Sequence, residues 1–192
     1  MRKIGLFFGS FNPIHIGHLI IANTIVHNSD LDIVQFVVSP QNPFKKKVTL
    51  AHEQDRIEMV ELAIKEMNHL LFASDIEFRM PQPSYTIDTL TYLSDKNPKT
   101  KYVIIMGQDN LQHFHKWKNF QQILEHYQLY VYPRPNAKIS ELDSHPKVKF
   151  FEVPLLDISA TFIRKQVKEQ KSISYLVHKK VEEFIESKGL YI

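Results

Sequence analysis

One pattern constrains this chain more than any other: short runs rich in β-branched and aromatic residues alternate with segments whose apolar residues recur at helical spacing. The expected strands are Ile4 to Phe8, Ile33 to Val38, Leu70 to Ala73, Tyr102 to Met106, Leu129 to Tyr132 and Lys149 to Val153. A first helix is expected from about His15, with Leu19, Ala22, Ile25 and Val26 on its apolar face, and a second over His52 to Met67. A third should run from Thr86 to Leu93, with Ser84 as its cap. Ser159 to Gln170, capped by Ser159, and Val181 to Lys188, stopped by Gly189, complete the set. Strands separated by helices point to parallel pairing through right-handed crossovers. The expected fold class is α/β: a doubly wound parallel sheet in a single domain, 1–192, with a small helical C-terminal part.

Composition narrows the function classes. Hydrophobic residues make up 43% of the 192, enough for a real core, and no linker, repeat or low-complexity segment divides the chain. Pro133 to Lys147 reads as a surface loop. A net charge of +3, without a basic-aromatic stripe, excludes nucleic acid as the expected partner and suits a small anion. The absence of cysteine removes disulfides and thiolate metal sites, and fits a reducing cytoplasm. No apolar run approaches the ~18 residues of a membrane span. The opening MRKIGLFFGSF runs into Asn12, Pro13 and His15 where a signal peptide would have a small-residue cleavage site, so it reads as a strand and a turn.

Only five glycines occur, so each position is informative. Gly9 and Gly107 follow apolar strands, the strand ends at which doubly wound sheets bind ligands. Gly17 falls in the first turn of a helix, where glycine costs about 1 kcal/mol against alanine. Either a ligand approaches there or the helix packs closely on the sheet. His15 and His18 are three apart at the same helix start, beside unpaired N–H groups and the positive end of the dipole. An anion there would meet backbone donors and two imidazoles. No Asp or Glu lies between Met1 and Ser29 to complete a metal site, and no metal ligands are assigned. The G-x-x-x-x-G-K-[ST] and G-x-G-x-x-G loops are both absent.

GSFNPIHIGH, residues 9–18, resembles the G-x-F-x-P-x-H-x-G-H signature of the nucleotidyltransferase superfamily. ISATFIR, residues 158–164, resembles its I-S-S/A-T-x-I-R element. Ser159 there reads as a helix cap, with Thr161 and Arg164 near the exposed first turn. Without the first motif, the bland reading of a capped helix with a solvated arginine would stand. The resemblance implies a Rossmann-like fold with an ATP half built from 4–18 and 157–164. Its catalytic residues would be His15 and His18. Gly9, Ser10, Phe11, Gly17, Lys45, Gly107, Ser159, Thr161 and Arg164 would bind ATP, which brings Mg²⁺ with it.

Further segments resemble the bacterial nicotinate-nucleotide adenylyltransferase family over nearly the whole chain: PQNPFKK (40–46), PSYTIDTL (83–90), MGQDNLQHFHKWKNF (106–120), Arg134-Pro135 and the terminal VEEFIESKGLYI. The implied activity transfers the adenylyl group of ATP to nicotinate mononucleotide in NAD biosynthesis. The implied acceptor half is 39–47, 83–90 and 107–117, with Asn42, Lys46, Tyr85, Thr86, Asp109, Trp117 and Arg134 as binding residues. Each has an ordinary alternative: Asp109 as a helix cap, Trp117 as core or interface, and Lys45 to Lys47 as a solvated charge run. The polar neighbours of Trp117 suggest a wet segment. Three departures stand out, since Ser10 and Asn12 replace the Thr and Asp usual in the family, and Phe8 replaces its first glycine and suggests a looser turn. Rival readings are adenylyl transfer to nicotinamide mononucleotide or phosphopantetheine, and a non-catalytic nucleotide sensor. ATP and nicotinate mononucleotide are the expected partners, with no nucleic acid and no membrane; a homo-oligomer is left open.

Overall fold

The computed structural model describes residues 1–40, 50–135, 137–154 and 156–192. The expected ligand-binding residues Asn42, Lys45 and Lys46 lie outside the described residues. Six strands form one sheet: β1 (Arg2–Gly9), β2 (Ile33–Val38), β3 (Leu71–Ser74), β4 (Thr100–Gly107), β5 (Gln128–Tyr132) and β6 (Val148–Phe150). All neighbours pair in parallel, in the order β3-β2-β1-β4-β5-β6. The α-helices among the described residues are α1 (Ile16–Asn28), α2 (Glu53–Ile64), α3 (Thr86–Lys96), α4 (Gln108–Gln112), α5 (Phe120–His126), α6 (Ala160–Lys168) and α7 (Lys179–Lys188). None of the helices is long and apolar enough to cross a membrane, among the described residues.

The strands are apolar on both faces because helices cover both, as parallel sheets require. Side chains alternate between the two covers with period two. Val103 and Ile105 join the cluster containing Ile25 of α1, Val60 of α2, Ile163 of α6 and Phe184 of α7. Tyr102, Ile104 and Met106 join the cluster containing Leu90 of α3, Leu111 of α4 and Ile123 of α5. α4 and α5 were not expected. Their apolar residues are few, and the polar Gln, His and Lys around them hide the helical period.

The sheet reverses its direction of winding between β1 and β4. The connections leaving their carboxyl ends therefore run to opposite faces of the sheet and leave a crevice between them, the place where this topology binds ligands. The crevice is a cavity of about 650 Å³. Loops after all the central strands open onto it, so the fold brings together residues that are far apart in sequence.

At the opposite end of the sheet, Lys3 Nζ donates to Asp30 (2.7 Å), Gln128 (2.7 Å) and the Tyr130 hydroxyl (2.8 Å). The Tyr130 hydroxyl donates to the second Asp30 oxygen. The Lys3 hydrogen bond first, and that from Tyr130 next, lower the Asp30 pKa from 3.8 to about 2. A carboxyl with a depressed folded-state pKa stabilises the fold above its unfolded value and loses that contribution on acidification. Wild type should lose stability more steeply than Asp30→Asn as pH falls from 3.8 to about 2, measured by urea unfolding. Identical slopes would show that Asp30 is not held in this way.

Candidate active site

The site is built first from the turn that follows β1. β1 continues through Phe8, which pairs with Val37, so the chain bends only after Gly9. The looser turn expected at Phe8 is corrected: Phe8 is a strand residue lining the cavity. A Cβ on Gly9 would come within 2.8 Å of the Phe11 ring, so glycine there lets the ring fold back under the strand end. Phe11 itself has φ 43, in the left-handed region that favours glycine. Its ring packs edge-on against Phe36 at 5.4 Å and against His18 at 5.1 Å, burial that offsets the backbone cost.

Asn12 is buried and acts as a junction. Its Oδ1 accepts from the Ala51 N–H (3.1 Å) and the Tyr191 hydroxyl (2.8 Å). Its carbonyl accepts from Arg164 Nη1 at 2.8 Å. A neutral amide oxygen therefore does bracing work at the position where the resemblance expects an acid. Tyr191 brings the last turn of the chain into this junction.

His15 is the residue just before α1, and His18 is its third residue. Their rings stack with centroids 3.7 Å apart, which confirms the shared face. The His15 N–H donates to His18 Nδ1 at 3.3 Å. Because His18 Nδ1 accepts, its neutral ring carries the proton on Nε2, a donor. His15 is 5% exposed, and its Nδ1 is buried without a hydrogen-bond partner among the described residues. Burial, and then the charge of Arg134, lower its pKa from 6.5 to about 4, so it is neutral at pH 7. Gly17 is not part of the cavity wall. A Cβ there would meet His15 Nδ1 at 3.1 Å, so the room left by this glycine serves the His15 ring and not an anion directly.

α6 closes the crevice from the far end of the chain. Ser159 Oγ accepts from the Phe162 N–H at 3.2 Å, the expected cap. Ser159, Thr161 and Arg164 all line the cavity with His15 and His18. Arg164 spends one donor on Asn12 and another on Thr161 Oγ1 (3.2 Å), which fixes the guanidinium while other N–H groups remain for a ligand.

The second wall comes from β4, α3 and the segment after α4. A Cβ on Gly107 would meet the Asp109 carboxyl and lie 3.2 Å from Arg134 Cγ, so this glycine admits both side chains at the strand end. Asp109 is 3.8 Å from Arg134 Nε and makes no helix cap. Arg134 stands over Tyr132, with its Nε buried and without a hydrogen-bond partner among the described residues. Its charge reaches His15, and both residues line the same cavity. Tyr85, Thr86 and Trp117 line the same cavity. Trp117 is half-buried, with its ring 5.0 Å from Phe114, while its polar neighbours His115, Lys116, Lys118 and Asn119 are all exposed, the wet segment expected. Lys118 supplies the wet side, paired with Asp88 at 2.9 Å and lying over the Tyr85 ring. Ser84 is not the cap of α3, because Tyr85 holds that position and the Ser84 hydroxyl donates to Glu77.

Two buried charged residues escaped the sequence reading. Arg56, 1% exposed, donates to the carbonyls of Ser10 (2.7 Å), Ser39 (2.7 Å), Pro40 (2.9 Å) and Ala51 (3.1 Å). Its signal was present, since Arg56 lies on the helical stripe shared with Met59, Val60 and Ala63. Glu77 follows β3 in a short irregular turn and has no such signal.

The family model described as cytidylyltransferase-like matches residues 6–166. A Cytophaga hutchinsonii protein named probable nicotinate-nucleotide adenylyltransferase is 60% identical, with 98% of each chain covered. A Caldicellulosiruptor bescii protein of the same name is 41% identical, again with 98% of each covered. The solved structure of Plasmodium falciparum nicotinic acid mononucleotide adenylyltransferase complexed with NaAD has the same fold. It matches at a TM-score of 0.83 and 20% identity, covering 100% of this chain and 98% of that one.

The buried setting of His15 has a direct spectroscopic consequence. Its imidazole resonances should titrate with a midpoint near 4 in an NMR pH series on the folded protein. A midpoint at the ordinary value of 6.5 would show that the ring is neither desolvated nor influenced by Arg134.

Proposed function

We propose, on the premise that this chain belongs to the cytidylyltransferase-like family and within it to the nicotinate-nucleotide adenylyltransferases, that it transfers the adenylyl group of ATP to nicotinate mononucleotide, yielding deamido-NAD and pyrophosphate. The observation carrying the proposal is one cavity with two chemically different walls. His15, His18, Thr161 and Arg164 form a phosphate-binding wall, while Thr86 and Trp117 face the same space.

The acceptor phosphate is ionised at pH 7 and needs no base to become a nucleophile. One of its oxygens attacks the α-phosphorus of ATP. The bond from that phosphorus to the bridging oxygen breaks, and pyrophosphate leaves with the electron pair. Catalysis is then positioning and charge stabilisation. His18 donates from Nε2 to the α-phosphoryl oxygens, and His15 assists as a neutral donor. Arg164, with the first turn of α6, holds the β- and γ-phosphates. Arg134 adds a second guanidinium on the ATP side. Thr86 and Trp117 hold the pyridine, the tryptophan by its ring face.

Mg²⁺ enters as part of the ATP substrate. Among the described residues no group of three His, Asp or Glu side chains is placed to hold it. That donor set suits an ion coordinated mainly by phosphate and water.

His18→Ala should lower kcat by about 10²–10³, the usual loss for one preorganised donor to a developing oxyanion. Its melting temperature should fall only modestly, because His18 is half-buried, although the variant loses its contacts with His15, Phe7 and Phe11. Full turnover by this variant would remove His18 from the reaction. The reading as a whole is tested by pyrophosphate release from ATP with nicotinate mononucleotide, nicotinamide mononucleotide or phosphopantetheine as acceptor. The expected order puts nicotinate mononucleotide first. Activity with phosphopantetheine alone, or with none of the three, would overturn it.

A further inference from the structure

Glu77 is the costliest residue in the cavity wall that no step above uses. It is 2% exposed, in the turn Ile76–Arg79 at the carboxyl end of β3, on the same side of the sheet as the crevice it lines. Its Oε1 accepts from the Thr89 hydroxyl at 2.8 Å, and its Oε2 accepts from the Ser84 hydroxyl at 3.1 Å. Both partners are buried as well. No cation pairs with Glu77 among the described residues. Two neutral donors compensate poorly for the desolvation of a carboxyl group, and a well-packed apolar side chain would serve the fold as well or better. Stability alone does not account for this arrangement.

Its geometry suggests what does. Ser84 lies before α3 and Thr89 lies one turn inside it, so the carboxyl group grips the helix start from both ends. Tyr85 and Thr86, held between the two anchored residues, line the cavity. The Tyr85 carbonyl is already committed, accepting from the N–H groups of Asp88 and Thr89. The Gln82 side chain adds a tie from the preceding loop to the Glu77 carbonyl at 3.0 Å. Fixing this segment fixes the direction in which the first N–H groups of α3 point. Those groups form the positive end of the helix dipole, suited to an anionic substituent.

We propose that Glu77 is a positioning residue for the acceptor. Through Ser84 and Thr89 it presets Tyr85 and Thr86, and with them the start of α3, to receive the acceptor's carboxylate-bearing ring. This rests on the adenylyl-transfer reading above. It adds a residue that touches neither substrate but governs the affinity for one of them. Because the ATP-side residues come from β1, α1, α6 and the segment after β5, none of which Glu77 hydrogen-bonds, the influence of Glu77 is confined to the acceptor.

The test is steady-state kinetics with each substrate varied in turn. Wild type is measured first with nicotinate mononucleotide, and no turnover there would defeat the adenylyl-transfer reading itself. Given turnover, Glu77→Ala should raise KM for nicotinate mononucleotide about tenfold or more, on the scale of a lost charge-assisted hydrogen bond. KM for ATP should stay within about twofold, a change too small to count as a lost contact. Glu77→Gln keeps the shape and one acceptor oxygen, so it should restore most of the acceptor affinity. Equal rises in both KM values, or an unchanged acceptor KM, would overturn the proposal.

Should Glu77→Ala not fold, Thr89→Val and Ser84→Ala each remove one hydroxyl while keeping the carboxyl group. Each should raise the acceptor KM severalfold without moving that for ATP. No effect from either would also overturn the assignment.

Discussion

The guanidinium of Arg56 is the interaction on which the site depends most. It is almost completely enclosed, and burial lowers its pKa below the ordinary arginine value. Among the described residues it forms no ion pair, Glu53 acting on it only through space. It gathers backbone carbonyls from the turn after β1, the loop after β2 and the entry to α2. Those carbonyls belong to segments without regular structure, which could not otherwise satisfy their polar groups away from water. A planar fork of five N–H donors can serve several carbonyls at once, and a lysine could not reproduce that geometry. The Gly9 to Pro13 turn, which ends at His15, takes its shape from this clamp and from Asn12.

The two clusters of charge are handled in opposite ways. Near the phosphate wall, burial and the neighbouring Arg134 keep His15 neutral, so the permanent positive charge comes from guanidinium groups. Arginine stays charged throughout the physiological range, whereas an imidazole at its ordinary pKa would be only partly protonated. With its pKa near 4, His15 stays neutral throughout the physiological range beside arginines that stay charged. On the acceptor wall the carboxyl group of Glu77 is covered by hydroxyls, so its influence passes through backbone placement and not through direct contact with a ligand.

Much of this was legible in the residue order. The period-two and period-3.6 patterns are local properties of the chain, and they placed all six strands within a few residues. The cap at Ser159 and the shared face of His15 and His18 followed from neighbours three apart. What escaped were features whose cause lies elsewhere in the chain. α4 and α5 are stabilised by the sheet surface they cover, not by a strong stripe of their own. Ser84 looked like a cap because Ser commonly is one, yet its hydroxyl is claimed by Glu77, seven residues back. Gly17 looked like room for a ligand, and the room is filled by a side chain two residues away.

By itself, then, the sequence determined the class of fold, the Ser159 cap and the shared face of His15 and His18, because each is written in spacing over a few residues, while the chemistry of the two motifs rested on their resemblance to a family. The tertiary structure decided how GSFNPIHIGH and ISATFIR meet, through Arg164 reaching the carbonyl of Asn12 across 152 positions. It decided that Arg134 lowers the pKa of His15, and that Arg56 and Glu77 turn inward. Those outcomes depend on which strands are neighbours and on where water is excluded. Distance and desolvation are properties of the packed chain, and no local pattern encodes them.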